Sequence, residues 1–239
     1  MAFMPAHVHL MVISLLLTGL GLTAAGAVLI YALVTDRRPL LNKTVIGAGA
    51  IGATYLVLLL GASLLSSEQV LDQGEPKYFC EIDCHIAYSV EYVTTTKTLG
   101  SGSSRATAAG QFYVIVIRTW FDAETTSAGR GDAPLNPNPR GVRVFDDRGR
   151  RFRTSLKGMK ALEGPAGKSV PLWQGLRPGD SYETSLVFDL PADAENPRLF
   201  LADTEPLTLL FVGHENSLLH KKVYFSLEGP AQAAADLQR

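Results

Sequence analysis

The chain has 239 residues, a formal net charge of −1 and an aromatic content of 8%. This near-neutral charge gives none of the basic surface that nucleic-acid binding requires, so we expect no nucleic acid among the partners. The length allows one large domain or two small ones. Charge is unevenly distributed, because residues 1–35 contain no Asp, Glu, Lys or Arg.

Two apolar runs, residues 10–34 and 45–65, contain no charged side chain. As helices they are roughly 37 and 31 Å long, enough to cross a hydrocarbon layer of about 30 Å. A cleaved signal peptide would have a basic residue before a shorter apolar core, and the first run has neither feature. The sequence therefore predicts a transmembrane hairpin over residues 10–65, with membrane lipids as its surroundings.

Basic residues predict the orientation of this hairpin. The link between the spans, residues 36–44, contains Arg37, Arg38 and Lys43, whereas residues 66–75 contain only acidic charges. Because basic loops stay in the cytoplasm, we expect the N-terminal segment 1–9 and the C-terminal part on the extracytoplasmic, periplasmic side of the inner membrane.

Small residues recur in both spans, for example at the spacing Gly49-x3-Ala53. Such spacings let helix backbones approach closely. They fit two alternatives, a hairpin packed on itself or docking against the helices of a larger membrane protein complex.

After a linker over residues 66–77, short alternating runs separated by turn residues predict an all-β domain over residues 78–228. Residues 111–121 are apolar on both faces, as in a central strand. We expect a hairpin at residues 142–153, a short helix within 155–168, later strands at 182–190, 199–201, 207–212 and 222–227, and a flexible tail at 229–239. About seven strands over this length indicate an immunoglobulin-like Greek-key sandwich.

The runs LRPGDSY, LVFDLP and NPRLFL, at residues 176–182, 186–191 and 196–201, resemble the late strands of bacterial extracytoplasmic immunoglobulin-like domains of unknown function. That class includes a secreted mycobacterial antigen. The resemblance implies a binding or interaction module on the export side of the membrane and carries over no catalytic residue.

The chain's two cysteines are Cys84, which directly precedes His85, and Cys80, four residues before Cys84. On a regular strand residues four apart lie about 13 Å from each other, so the two sulfurs act together only if this segment is looped or helical. If the last strand neighbours the first, His214 and His220 approach this loop. The two cysteines and three histidines would then form a ligand set that suits zinc or copper. A Cys80–Cys84 disulfide is the alternative.

The chain is also similar to cytochrome oxidase subunit II. The shared features are two N-terminal spans, both termini on the extracytoplasmic side, and a sandwich that contains Cys-x3-Cys. That resemblance implies copper and electron transfer. In that family Glu stands two residues after the first Cys, whereas here Glu81 follows Cys80 directly.

No nucleophile–base spacing, phosphate-binding glycine loop or carboxylate pair points to an enzyme. We therefore predict an accessory subunit of a larger respiratory or photosynthetic membrane complex, with a copper-binding or electron-transfer protein as the alternative. A basic hairpin tip, formed by Arg148, Arg150, Arg151 and Arg153, is expected to be a solvated turn or a contact for an acidic partner.

Overall fold

The computed structural model describes residues 2–3, 8–79, 85–126, 129–166 and 169–228. The chain forms two compact units. The helical unit comprises Ala6–Glu68 and Glu205–Lys222, and the β unit comprises Met1–Pro5, Gln69–Thr204 and Val223–Arg239.

Two helices of 27 residues each, α1 (Val8–Val34) and α2 (Arg38–Leu64), dominate the helical unit. Both are long and apolar enough to cross a membrane, which confirms the two predicted apolar helices. Leucines are exposed along both of them, as is typical of helices surrounded by lipid. α2 begins seven residues before the predicted span, because Pro39 lies in its first turn, where a missing N–H costs nothing.

The remainder of the helical unit contains a short 3₁₀ helix, Pro206–Leu210, followed by consecutive turns. The strand predicted at residues 207–212 is therefore wrong. Pro206 fixes a backbone angle compatible with a helical turn, and the N–H groups of Thr208 and Phe211 donate to the carbonyls three residues earlier.

The described part of the β unit contains two sheets. The strands are β1 (Gln69–Leu71), β2 (Lys77–Phe79), β3 (Ile86–Leu99), β4 (Ala106–Phe121), β5 (Arg140–Phe145), β6 (Arg151–Phe152), β7 (Ser181–Leu190), β8 (Arg198–Asp203) and β9 (Val223–Ser226). Sheet A has the order β2-β3-β4-β7, and sheet B has the order β1-β9-β8-β5-β6.

β3 and β4 form a long antiparallel hairpin in which Ile86 pairs with Phe121 and Leu99 pairs with Ala106. β4 also pairs with β7 through residues 111–120, which makes it a central strand, as its two apolar faces predicted. One face packs in the core, and part of the other is covered by α3 (Leu156–Ala166), the helix expected within residues 155–168.

The core lies between the inner faces of the two sheets. Its fully buried side chains include Tyr88, Ile115, Ile117, Phe188, Leu199, Leu201 and Phe225. β1, which lies inside the segment predicted as a linker, pairs in parallel with the last strand β9. This pairing joins the beginning and the end of the β unit.

Two buried cations stabilise the core. The ladder between β8 and β9 stops at Leu199↔Phe225, and beyond it the Lys77 amine donates to the carbonyls of Leu201 (2.8 Å) and Val223 (3.2 Å). The Arg140 guanidinium lies 3.2 Å from the Asp203 carboxylate and 4.2 Å from the centroid of the Phe79 ring. Each buried charge thus has hydrogen-bonding or ionic partners, as burial requires.

Candidate functional site

His85 lies in a compact polar corner of the β unit, directly before β3. It is 5% exposed, and its ring stacks on Phe121 with a centroid separation of 5.3 Å. The backbone N–H of Asp122 donates to its carbonyl (2.8 Å). The end of the β3–β4 hairpin therefore fixes both the backbone and the ring of His85.

Hydrogen bonds define the tautomer of His85. The Thr125 hydroxyl donates to the carbonyl of Asp122 (2.7 Å), so its oxygen is an acceptor toward His85 Nδ1, which lies 2.6 Å away. Nδ1 consequently carries the proton, and Nε2 carries the lone pair in the neutral ring. Histidine ligands of metals commonly have this arrangement, with the other ring nitrogen donating to a protein oxygen.

A second hydrogen bond orders the same corner. The Tyr78 hydroxyl donates to Asp122 Oδ2 (2.6 Å). Burial, this hydrogen bond and the nearby negative charge of Asp122 raise the pKa of Tyr78 to about 12. Tyr78 therefore stays protonated and holds Asp122, whose Oδ1 accepts from the Glu124 N–H (3.0 Å).

The other two predicted histidines belong to the helical unit. His214 Nδ1 accepts a hydrogen bond from the backbone N–H of Asn216 (3.0 Å), which places the ring proton on Nε2 in the neutral form. Metal binding at Nε2 would require the opposite tautomer and the loss of that bond. His220 Nδ1 lies 2.6 Å from the carbonyl of Lys221 and therefore donates to it.

The predicted metal set of Cys80, Cys84, His85, His214 and His220 is only partly described. Cys80 and Cys84 lie outside the described residues. Among the residues that the structure describes, no three His, Cys, Asp or Glu side chains cluster closely enough to hold a metal ion. The metal site and the disulfide both stay predictions.

A feature that the sequence did not single out is the outer face of sheet B. Three aromatic rings form a contiguous cluster there, with centroid distances of 6.1 Å (Phe145–Phe200), 5.8 Å (Phe145–Tyr224) and 5.5 Å (Phe200–Tyr224). Each ring is partly exposed. We call this surface the arginine–aromatic face, because arginines border it.

Two guanidinium groups of this face lie over its rings. Arg151 is 5.6 Å from the Phe145 centroid, and Arg198 is 5.1 Å from the Tyr224 centroid. Arg143 is exposed and stands opposite Phe200 in the register of β5 and β8. The face therefore combines partly exposed aromatic rings with positive charge.

Two arginines of the basic hairpin tip, Arg148 and Arg150, are paired with acidic side chains. Arg148 pairs with Asp193 (2.7 Å) and Glu195 (3.1 Å), and Arg150 pairs with Asp146 (2.6 Å) and Asp193 (3.0 Å). These acids come mainly from the turn between β7 and β8. The tip is thus an ion-pair network that links two turns.

No family model matches this chain, and no curated protein matches it. Similar solved structures include a secreted protein of Mycobacterium tuberculosis, MPT63, at 10% identity and a TM-score of 0.41, covering 69% of this chain and 99% of that one. A conserved hypothetical protein from Bacillus anthracis has 11% identity and a TM-score of 0.37, covering 49% of this chain and 81% of that one. Likenesses at this level carry no argument about function.

Proposed function

We propose that this protein is a membrane-anchored extracytoplasmic interaction module, an accessory subunit of the larger respiratory or photosynthetic membrane complex expected from its sequence. The observation that carries the proposal is the arginine–aromatic face of sheet B. The apolar hairpin supplies the anchor, and the β unit supplies the binding surface.

Features at both ends of the hairpin support the anchor and its orientation. The link contains Arg37, Arg38 and Lys43, the basic residues that cytoplasmic loops favour. At the other end, Phe3 exchanges backbone hydrogen bonds with Pro76 and Tyr78, both at 2.9 Å. The N-terminus thus belongs to the β unit, as two spans with both termini on the outer side require.

Strand order supports an immunoglobulin-like sandwich. β4 and β7 lie in one sheet as strands B and E, while β5, β8 and β9 lie in the other as strands C, F and G. After β2 the chain changes sheets between β4 and β5, between β6 and β7, and between β7 and β8. Such crossings are the Greek-key connections of that fold.

The chemistry of the arginine–aromatic face suits a protein partner. Phe, Tyr and Arg are enriched at protein interfaces, where rings fill pockets and arginines bind carboxylates. The Arg151 guanidinium, stacked on Phe145, can still donate hydrogen bonds from its edge. Arg198, stacked on Tyr224, already pairs with Asp147 at 3.3 Å. We therefore propose a partner surface that is apolar at its centre and acidic at its rim.

Charge reversal on this face tests the proposal. In native membranes, Arg143→Glu/Arg151→Glu should abolish co-purification or cross-linking of the partner, because carboxylates would then meet its acidic rim. The matched control is Arg105→Glu/Arg118→Glu, which reverses two exposed arginines at β4 of sheet A, outside this face. Purification of the wild-type protein as a lone monomer, or equal recovery of partner with both variants, would overturn the proposal.

The second candidate function is copper handling or electron transfer through Cys80, Cys84, His85, His214 and His220. The observation that favours it is the hydrogen bond from His85 Nδ1 to Thr125 Oγ1 (2.6 Å), because histidine ligands of metals commonly donate the other ring N–H to a protein oxygen. Copper or zinc should be measured by elemental analysis and visible absorption after reconstitution of the full chain. Loss of metal in His85→Gln supports this function. Absence of metal in the wild type excludes it, and mass spectrometry with and without reductant then tests the disulfide.

A further inference from the structure

The segment Glu205–Lys222, which we call the insertion segment, has an inverted pattern of burial. Its buried side chains are polar, namely Thr208, Glu215 and Ser217. Its exposed side chains are leucines, Leu207, Leu209, Leu210, Leu218 and Leu219, with exposures between 46% and 64%. In a segment surrounded by water the opposite pattern is expected.

Polar groups of the insertion segment bond to one another. The Asn216 side-chain amide donates to Thr208 Oγ1 (2.9 Å), and the Thr208 hydroxyl donates to the Glu205 carbonyl (2.6 Å). The Ser217 hydroxyl donates to the Phe211 carbonyl. A hydrophilic interior is thereby closed beneath a leucine surface.

The backbone is satisfied in the same local way. A chain of turns runs through the segment, in which the N–H groups of residues 208, 211, 214, 217 and 220 donate to the carbonyls three residues earlier. Backbone that contacts hydrocarbon must satisfy its N–H and C=O groups internally. These turns meet much of that requirement without a regular helix.

Contacts within the helical unit show where the insertion segment lies along α2. The Lys221 N–H donates to Ser66 Oγ (2.8 Å), just beyond the end of α2. The Tyr55 hydroxyl donates to the carbonyl of Leu210, and Tyr55 lies nine residues, about 14 Å along the helix axis, before Leu64. The last residue of the 3₁₀ helix, Leu210, therefore lies beside α2, well before the end of α2.

We propose that the insertion segment is a re-entrant membrane element, whose leucines enter the same lipid layer as α1 and α2 on the side opposite the cytoplasmic link. This inference rests on the proposed membrane anchorage. Its occupant is lipid acyl chains, because the leucine surface belongs to the same unit as the apolar helices and lies beside α2 below its outer end. The protein then holds the membrane through two helices and one amphipathic segment.

Site-directed spin labelling of the full chain in phosphatidylcholine vesicles tests this proposal. In a Cys80→Ser/Cys84→Ser background, nitroxides at Leu209→Cys and Leu218→Cys should be several-fold more accessible to oxygen than to a water-soluble nickel chelate. Leu156→Cys is the matched control, a leucine of the β unit that is 78% exposed, and should show the reverse preference. Leu58→Cys, on α2, reports anchorage alone.

The outcomes are distinct. A lipid-exposed Leu58 site with water-exposed Leu209 and Leu218 sites overturns the re-entrant element and leaves the anchor intact. A water-exposed Leu58 site overturns the anchorage itself. Low access of both reagents at Leu209 and Leu218 indicates contact with protein and also contradicts a lipid-facing surface.

A second measurement keeps the native cysteines. Leu209→Trp should add fluorescence that dibrominated phosphatidylcholine quenches, whereas Leu156→Trp should add fluorescence that it leaves unquenched. Equal quenching in the two variants would contradict the proposal, even if the cysteine-free background folds poorly.

Discussion

At the scale of single residues, the β unit depends on cations that the sequence presents as ordinary surface charges. Lys77 and Arg140 are both almost completely buried. Lys77 donates to two carbonyls where the β8–β9 ladder ends, and Arg140 pairs with Asp203 between the sheets. Because they are buried, these two charges hold the strands of the core in place.

We expect Lys77→Met to lower the free energy of unfolding by about 2–4 kcal/mol, because the carbonyls of Leu201 and Val223 lose a buried donor. Lys97→Met is the matched control, since Lys97 also donates to two carbonyls but is exposed, and water can replace it. Its effect should stay within about 0.5 kcal/mol. Urea unfolding of the full chain in detergent, followed by tryptophan fluorescence, measures both. Equal losses would mean that burial of Lys77 adds nothing.

At the scale of elements, close contacts determine how α3 lies on sheet A. A Cβ atom at Gly158 would lie 2.5 Å from Val187 Cγ1 and 3.2 Å from Phe112 Cε1. Glycine therefore permits this helix to approach the sheet, although glycine disfavours a helix by about 1 kcal/mol relative to alanine.

Gly158→Ala should nevertheless destabilise the protein, because the overlap with Val187 costs about 1–3 kcal/mol and exceeds the gain in helix propensity. The measurement is the midpoint of urea unfolding. Gly129→Ala provides a control, since a Cβ atom there meets nothing within 4 Å. A stabilised Gly158→Ala variant would show that α3 can move away from the sheet at no cost.

The ion pairs of the β5–β6 tip predict a dependence of stability on pH. Hydrogen bonds from Arg150 lower the pKa of Asp193. Burial raises the pKa of Asp146, but hydrogen bonds from Arg150 and Arg148 outweigh it, and the pKa falls below its ordinary value of 3.8. At pH values between the folded-state pKa and the ordinary pKa, the unfolded state binds more protons than the folded state. The ion pairs therefore stabilise the folded state above about pH 4, and this stabilisation is lost as the pH falls through the folded-state pKa values.

The melting temperature of the full chain should therefore fall between pH 5 and pH 2.5, and more gently in Arg150→Gln, in which the pKa values of Asp146 and Asp193 return toward ordinary ones. Arg143→Gln, an exposed arginine outside this network, controls for the loss of one positive charge. Parallel curves for the wild type and Arg150→Gln would contradict the assignment.

At the scale of the whole molecule, the elements that the sequence predicts correctly are those determined by the pattern of neighbouring residues. The two apolar helices, the central strand β4 and the short helix α3 follow from composition and periodicity over neighbouring residues. The segment 207–212 (LTLLFV) has the same apolar pattern as a strand, and its packing depends on Tyr55, 155 positions from Leu210. Local pattern contains no such information.

The arginine–aromatic face was missed for a related reason. Phe145, Phe200 and Tyr224 come from three strands and become neighbours only through the registers of β5, β8 and β9. Conversely, the predicted metal site starts from Cys80, Cys84 and His85 because they are close together in sequence. Adjacency does not determine whether His214 and His220 join them, since those two residues belong to the helical unit.

The orientation of the whole chain gives the last prediction. If the link is cytoplasmic, a membrane-impermeant maleimide should label Ser101→Cys in intact spheroplasts and should label Asp36→Cys only after permeabilisation, in the Cys80→Ser/Cys84→Ser background. Both sites are exposed, so detergent-solubilised protein should label equally at the two and controls for reactivity. Labelling of Asp36→Cys alone in intact spheroplasts would invert the topology. The β unit would then face the cytoplasm, and its partner would have to be sought on that side.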